Sequence, residues 1–146
     1  MKRYILILGL LFIPIILLAG DWKDVNKFKE YKAHKLVSKQ AEATGNLDVA
    51  ITNYIKCIDL AREYATPEIL VWCLNNTAYL LIKKHQSMKG NDTELLKQAL
   101  EYLTEAQKLG IEGALPKIQS NIDYCEYWLT EAEKGMATKV EKDKLY

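Results

Sequence analysis

The apolar positions of this chain recur at helical spacing, and one arrangement of them is used twice. In the stretch GNLDVAITNYIKCIDL, residues 45–60, Ala50, Tyr54, Cys57 and Leu60 follow steps of four, three and three. Those steps place all four on one helix face. Ala99, Leu103, Ala106 and Leu109 repeat them, with Ile51 and Leu100 each following the first alanine. Small residues among large ones suit helices that must approach closely. A unit used twice predicts stacked helical hairpins instead of a globular enzyme core.

Stops and starts divide the chain into about five helices, and no stretch has a strand pattern. The first is expected over residues 24–44, with Val25, Phe28, Ala33, Leu36, Val37 and Ala41 turned inward. Gly45 ends it, because glycine takes the positive φ that closes a helix. Asn46 opens a turn to a second helix over residues 47–64. Thr66 and Pro67 then offer a capping hydroxyl and a first-turn proline. The third helix turns Leu70, Leu74, Ala78, Leu81, Ile82 and His85 inward and fades near Met88. A loop over residues 89–92 leads to a fourth helix capped by Asn91 or Asp92, with Glu94 near its positive end. Gly110 and Gly113 break the chain again, and Pro116 opens a fifth helix that runs to about Glu133. Beyond Gly135 the tail MATKVEKDKLY is charged and unpatterned, so residues 135–146 are expected to fray.

Residues 1–20 stand apart from this domain. Lys2 and Arg3 precede an uncharged apolar run over residues 4–19, which ends at Gly20 before Asp21. That is the layout of a secretory signal. The run is short of the roughly 20 apolar residues a membrane span needs, and Pro14 interrupts it. Leu17 and Leu18 occupy the places where a cleavage site prefers a small residue, and no Cys follows for lipid attachment. Either a cleaved signal or an uncleaved N-terminal anchor fits, and both place residues 21–134 outside the cytoplasm, periplasmic or secreted.

Charge then narrows the partners. The chain has 20 basic and 19 acidic side chains, and without Lys2 and Arg3 the count is 18 against 19. Such a balance argues against nucleic acid, whose binding rests on a surplus of Lys and Arg. The membrane enters only through the N-terminal segment. Cys57, Cys73 and Cys125 allow at most one intramolecular pair, and all three also suit a packed core as free thiols. Asn75 and Asn91 stand in formal glycan-acceptor triplets, Asn75 at mid-helix.

Gly45, Ala50, Tyr54, Cys57 and Leu60, with the preceding helix from about Ala33, resemble a tetratricopeptide repeat. Trp72, Ala78 and Tyr79 match that family's first-helix positions in a second hairpin, and Ala99, Leu103, Ala106 and Leu109 match its second helix. The likeness covers residues 33–109. It implies an all-α stack of antiparallel hairpins in a short right-handed superhelix, with the fifth helix as terminal cap. Two departures stand out. Gln40 and Ala50 are 10 apart whereas Ala78 and Ala99 are 21 apart, an insertion of 11 residues. Leu74 and Asn75 also reverse the family's polar-then-aliphatic order.

In this family the first helix of each hairpin lines a groove that holds a peptide. The resemblance places Lys32, Lys35 and Lys39 on that face, where ammonium groups would hold a carboxylate. From the second hairpin it offers Leu70, Cys73, Thr77 and Leu80, without the Asn of the carboxylate-clamp members. His34 and His85 fall on different hairpins, and no HExxH, GxSxG or glycine-rich phosphate loop occurs. Glu101 and Glu105 sit among lysines on a solvated face, and Tyr124, Tyr127 and Trp128 cluster on the fifth helix. The expected function is therefore protein or peptide binding without catalysis, metal or cofactor. The alternative is an anchored structural subunit of an envelope complex.

Overall fold

The computed structural model describes residues 20–89 and 92–143, with side chains to residue 135. The N-terminal apolar run and Asn91 lie outside the described residues. The described chain is all-helical: α1 Val25–Ala43, α2 Leu47–Tyr64, α3 Pro67–Ser87, α4 Thr93–Lys108 and α5 Leu115–Asp143. Each helix packs on the next, and α5 also reaches back to α3. Side chains show how the hairpins stack. Lys83 on α3 pairs with Glu42 on α1 at 2.9 Å, and Asn121 on α5 donates to Asn75 on α3 at 3.0 Å. On the other side Arg62 of α2 grips Glu105 of α4 at 3.1 and 2.6 Å. The odd-numbered helices therefore form one layer and α2 with α4 the other.

The first turn is built as its sequence predicts. Gly45 takes φ +78°, its N–H donates to Glu42, and the Asn46 N–H donates to Ala41 at 2.8 Å. This pair of bonds satisfies carbonyls that a helix end would leave bare. Asn46 then caps α2 by accepting from the Val49 N–H. Pro67 opens α3 as expected, but the Thr66 hydroxyl makes no cap bond and is buried without a partner. At α4 the cap is Asp92, which accepts from the Glu94 N–H at 3.1 Å.

Small residues let the layers close. Ala50, Cys57, Ala99, Leu103 and Ala106 are wholly buried. The inward face of α1 differs from its expected one. Val25, Ala33, Leu36 and Val37 are exposed, Leu36 by 57%, whereas Tyr31, Ser38 and Ala41 are buried and Phe28 half-buried. Ser38 explains the rotation: its hydroxyl donates to the Ala50 carbonyl at 2.7 Å across the α1–α2 contact. A short side chain with its own partner fits where a leucine would hold the helices apart.

The 11-residue insertion lengthens the second hairpin along its axis. Nine residues of α3 follow Ala78 where three of α1 follow Gln40, and six residues of α4 precede Ala99 where three of α2 precede Ala50. The remaining two lengthen the loop. The fifth helix also exceeds its expected end near Glu133, continuing through Gly135 to Asp143.

Replacing Ser38 separates its two contributions. Ser38→Ala should cost about 1 kcal/mol, the worth of one buried hydrogen bond. Ser38→Leu should cost about 3 kcal/mol by overpacking the same contact. Urea unfolding followed by circular dichroism measures both, and equal losses would contradict the tight α1–α2 contact.

Candidate functional site

A concavity lies where the chain enters the bundle. Residues 20–24 form a strap across the α2–α3 turn. The Lys23 N–H donates to the Tyr64 carbonyl at 2.7 Å and the Thr66 N–H to the Asp21 carbonyl at 3.0 Å. Trp22 and Ala65 thus form an isolated antiparallel bridge. The bridge drives the Trp22 ring inward, where it lies 4.7 Å from the Tyr31 ring and 5.7 Å from the Phe28 ring, centre to centre. Trp22 is buried. Beside this aromatic cluster runs a groove of about 460 Å³, lined by Lys32, Lys35, Leu36, Lys39 and Ile69.

The structure brings the three predicted lysines together. Lys32 Nζ stands 5.5 Å over the Phe28 ring, and Lys35 Nζ stands 5.4 Å over the Tyr31 ring. Lys35 also donates to the Tyr31 hydroxyl at 3.1 Å. Among the described residues none of Lys32, Lys35 and Lys39 pairs with a carboxylate. The acidic residues of α1 are engaged elsewhere, Glu30 with Lys27 and Glu42 with Lys83. The groove is therefore aromatic and mainly basic, its three lysines set against the single carboxylate of Asp21 that also lines it.

The residues expected from the second hairpin are placed differently. Cys73 and Thr77 are buried at 1% and 0% exposure, as is Leu80, and Leu70 is half-buried against the core. Thr77 donates to the Cys73 carbonyl within its own helix. None of Cys73, Thr77 and Leu80 offers groove surface, so that part of the expected set is corrected. The open face of α3 instead carries Trp72, Asn76 and Tyr79, with Trp72 38% and Tyr79 47% exposed. Ile69 of the lysine groove and Lys83, which reaches Glu42, bracket these residues at helical steps. The basic groove and the aromatic stripe are thus continuous.

Elsewhere the polar groups serve packing. His85 is buried and bonds the Asp92 carbonyl at 2.8 Å, which ties the end of α3 to the start of α4. His34 bonds the Asn53 side chain at 2.9 Å between α1 and α2. Asn75 is buried against Asn121, which closes it to a glycan. Glu105 is held by Arg62. On α5, Tyr127 and Trp128 are exposed and meet edge-on at 5.4 Å, while Tyr124 accepts a bond from Gln86. Among the described residues no group of His, Cys, Asp and Glu is arranged to hold a metal, and no helix is long and apolar enough to cross a membrane.

Cys57, Cys73 and Cys125 are free and buried. Burial pushes their thiols up, Cys57 to about 12 and the other two to about 11. The same cause raises Tyr54 to about 12 and Tyr31 further. Such thiols are inert packing groups at neutral pH.

No protein-family model, curated protein or solved structure gives a significant match to the chain. Spacing alone does not single out Trp22 and Tyr31 as groove builders, and Trp72 and Tyr79 entered only as matches to the family's first-helix positions. A seven-residue step joins Tyr31 to Ser38 and Trp72 to Tyr79 alike. That step marks a shared face without saying whether the face is inside or outside.

The thiol shifts fix an alkaline prediction. Their folded values lie above the ordinary 9, so the stability they carry is whole below pH 9 and is lost as pH climbs toward 11–12. The melting temperature should fall steeply over that window, and a thiol reagent at pH 8 should react with all three only after unfolding. Rapid labelling of the native chain would refute the buried assignment.

Proposed function

We propose that the chain is an exported, tetratricopeptide-like binding module that holds a protein or peptide on its odd-helix layer, without catalytic chemistry. One observation carries the reading: Trp72 and Tyr79 stand exposed on α3, continuous with a groove whose lysines have no carboxylate partner among the described residues. Exposed Trp and Tyr supply large contact area at low entropic cost and dominate many interfaces. The lysines beside them add orientation and selectivity for an acidic or carboxylate-bearing segment. Leu70, Cys73 and Thr77 act behind this surface, holding α3 in place.

A scaffold role also accounts for where the polar atoms go. His34, His85, Asn75 and Ser38 each spend their bonding capacity on a neighbouring helix. The titratable groups around the groove are Asp21, Tyr31 and the three lysines, a set suited to holding a charged segment.

A photo-crosslinking amino acid placed at Tyr79 in the producing cells tests this reading. The expected result is one discrete adduct whose yield falls at least tenfold with Trp72→Ala, while the same probe at Glu101 on α4 gives none. Equal adducts from both positions, or none from Tyr79, would count against binding on the odd-helix layer.

A further inference from the structure

The extra length of the second hairpin builds a pocket at its far end. His85 and Gln86 lie in the last turn of α3, and Lys89 lies just beyond it. With Tyr124 and Trp128 of α5 they line a space of about 230 Å³. Small-molecule pockets begin at roughly 300 Å³, so this one is suited to a single side chain. Its walls are aromatic. The Tyr124 and Trp128 rings lie 6.3 Å apart and tilt 50° to each other, and Gln86 fixes Tyr124 by donating to its hydroxyl at 3.0 Å. Tilted rings at that spacing accept a third ring edge-to-face.

The polar groups at the pocket narrow what that ring carries. His85 is buried, and its Nδ1 bonds the Asp92 carbonyl at 2.8 Å. A carbonyl only accepts, so Nδ1 carries the proton and Nε2 of the neutral ring is an acceptor. Lys89 brings an ammonium group with no carboxylate partner among the described residues. It also stands at φ +57°, the left-handed conformation in which a helix end favours glycine. A lysine is thus held at the pocket against the preference of the backbone. An acceptor and a cationic donor beside two rings match a phenol, whose hydroxyl donates to the imidazole and accepts from the ammonium.

The pocket joins the face already described. Ile69 lines the lysine groove and Gln86 lines this pocket, and between them Trp72, Asn76, Tyr79 and Lys83 follow steps of three and four. Ile69 and Gln86 are 17 positions apart, which is about 25 Å along the helix. An extended chain covers that span with about eight residues.

We propose that this pocket takes a tyrosine side chain of a partner peptide whose acidic residues, about eight positions away, lie among Lys32, Lys35 and Lys39. This second anchor rests on the peptide-binding reading of the odd-helix layer, to which it adds a residue type and a spacing. Trp72 and Tyr79 support the chain between the two anchors.

The test is fluorescence anisotropy of dye-labelled synthetic peptides with the full chain held in detergent. One peptide carries three aspartates at one end and a tyrosine eight positions further on, with serine and glycine elsewhere. In two controls alanine replaces the tyrosine, or the tyrosine stands four positions from the aspartates. The eight-spaced tyrosine should tighten binding at least about tenfold over alanine, as a buried anchor does. Trp128→Ala should remove that gain and leave the two control peptides unchanged. Lys89→Gly frees the backbone, so it should keep or raise the melting temperature and still weaken the eight-spaced peptide alone. Equal affinity for the tyrosine and alanine peptides would overturn the second anchor and leave the binding reading standing. So would a gain that survives Trp128→Ala or that is equal at the shorter spacing. Failure of every peptide to bind would overturn the acidic and tyrosine chemistry. With an adduct at Tyr79 that failure strikes the second anchor and its charge partner alone, and without one it strikes the binding reading too.

Discussion

The bond from the Ser38 hydroxyl to the Ala50 carbonyl is the contact on which the arrangement depends. It joins α1 to α2 between two residues with no exposed surface. A side chain of serine's size lets the backbones meet, and its donor is satisfied by a carbonyl already serving the α2 ladder. With that rotation fixed, Tyr31 falls inward toward Trp22, Cys57 and Cys73, and the lysines of α1 fall outward. The core and the surface of the first hairpin are thus set by one polar atom in the wall between two helices.

The second hairpin solves the same problem with Ala99, Leu103 and Ala106, then extends beyond it. Its extra length carries His85 past the shared layer, where the ring binds the Asp92 carbonyl and closes the longer turn. The third cover is α5, which buries Ile118, Ile122 and Cys125 and leaves Tyr127 and Trp128 outside. Stacked hairpins need covered ends, and here the strap with Trp22 and the long α5 supply them at opposite edges.

Much of the fold was legible because its punctuation is strong. Gly45 and Asn46 stop and restart the helix within two residues, and Pro67 and Asp92 mark helix starts whatever packs around them. The face of α1 was not legible. Leu36 and Val37 read as core by hydrophobicity, yet a helix at the edge of a stack has room for aliphatic residues outside. Ser38 reads as surface, and only the facing Ala50 carbonyl reveals why it is inside. On α3 the helix is apolar around most of its circumference, so periodicity did not separate the buried Cys73 and Thr77 from the exposed Trp72 and Tyr79. The lysines of the candidate site were indicated by the resemblance to a tetratricopeptide repeat, and they line one groove. The aromatic residues that shape their groove required the strap, a tertiary feature with no sequence period.

The central claim is which face of each odd-numbered helix is free, and hydroxyl-radical footprinting of the native chain with mass spectrometry measures it directly. Trp72, Tyr79, Tyr127 and Trp128 should oxidise fast, while Trp22, Tyr31 and Tyr54 stay protected until the chain unfolds. Fast oxidation of Trp22 and Tyr31 in the native state, with Trp72 and Tyr79 protected, would contradict the account.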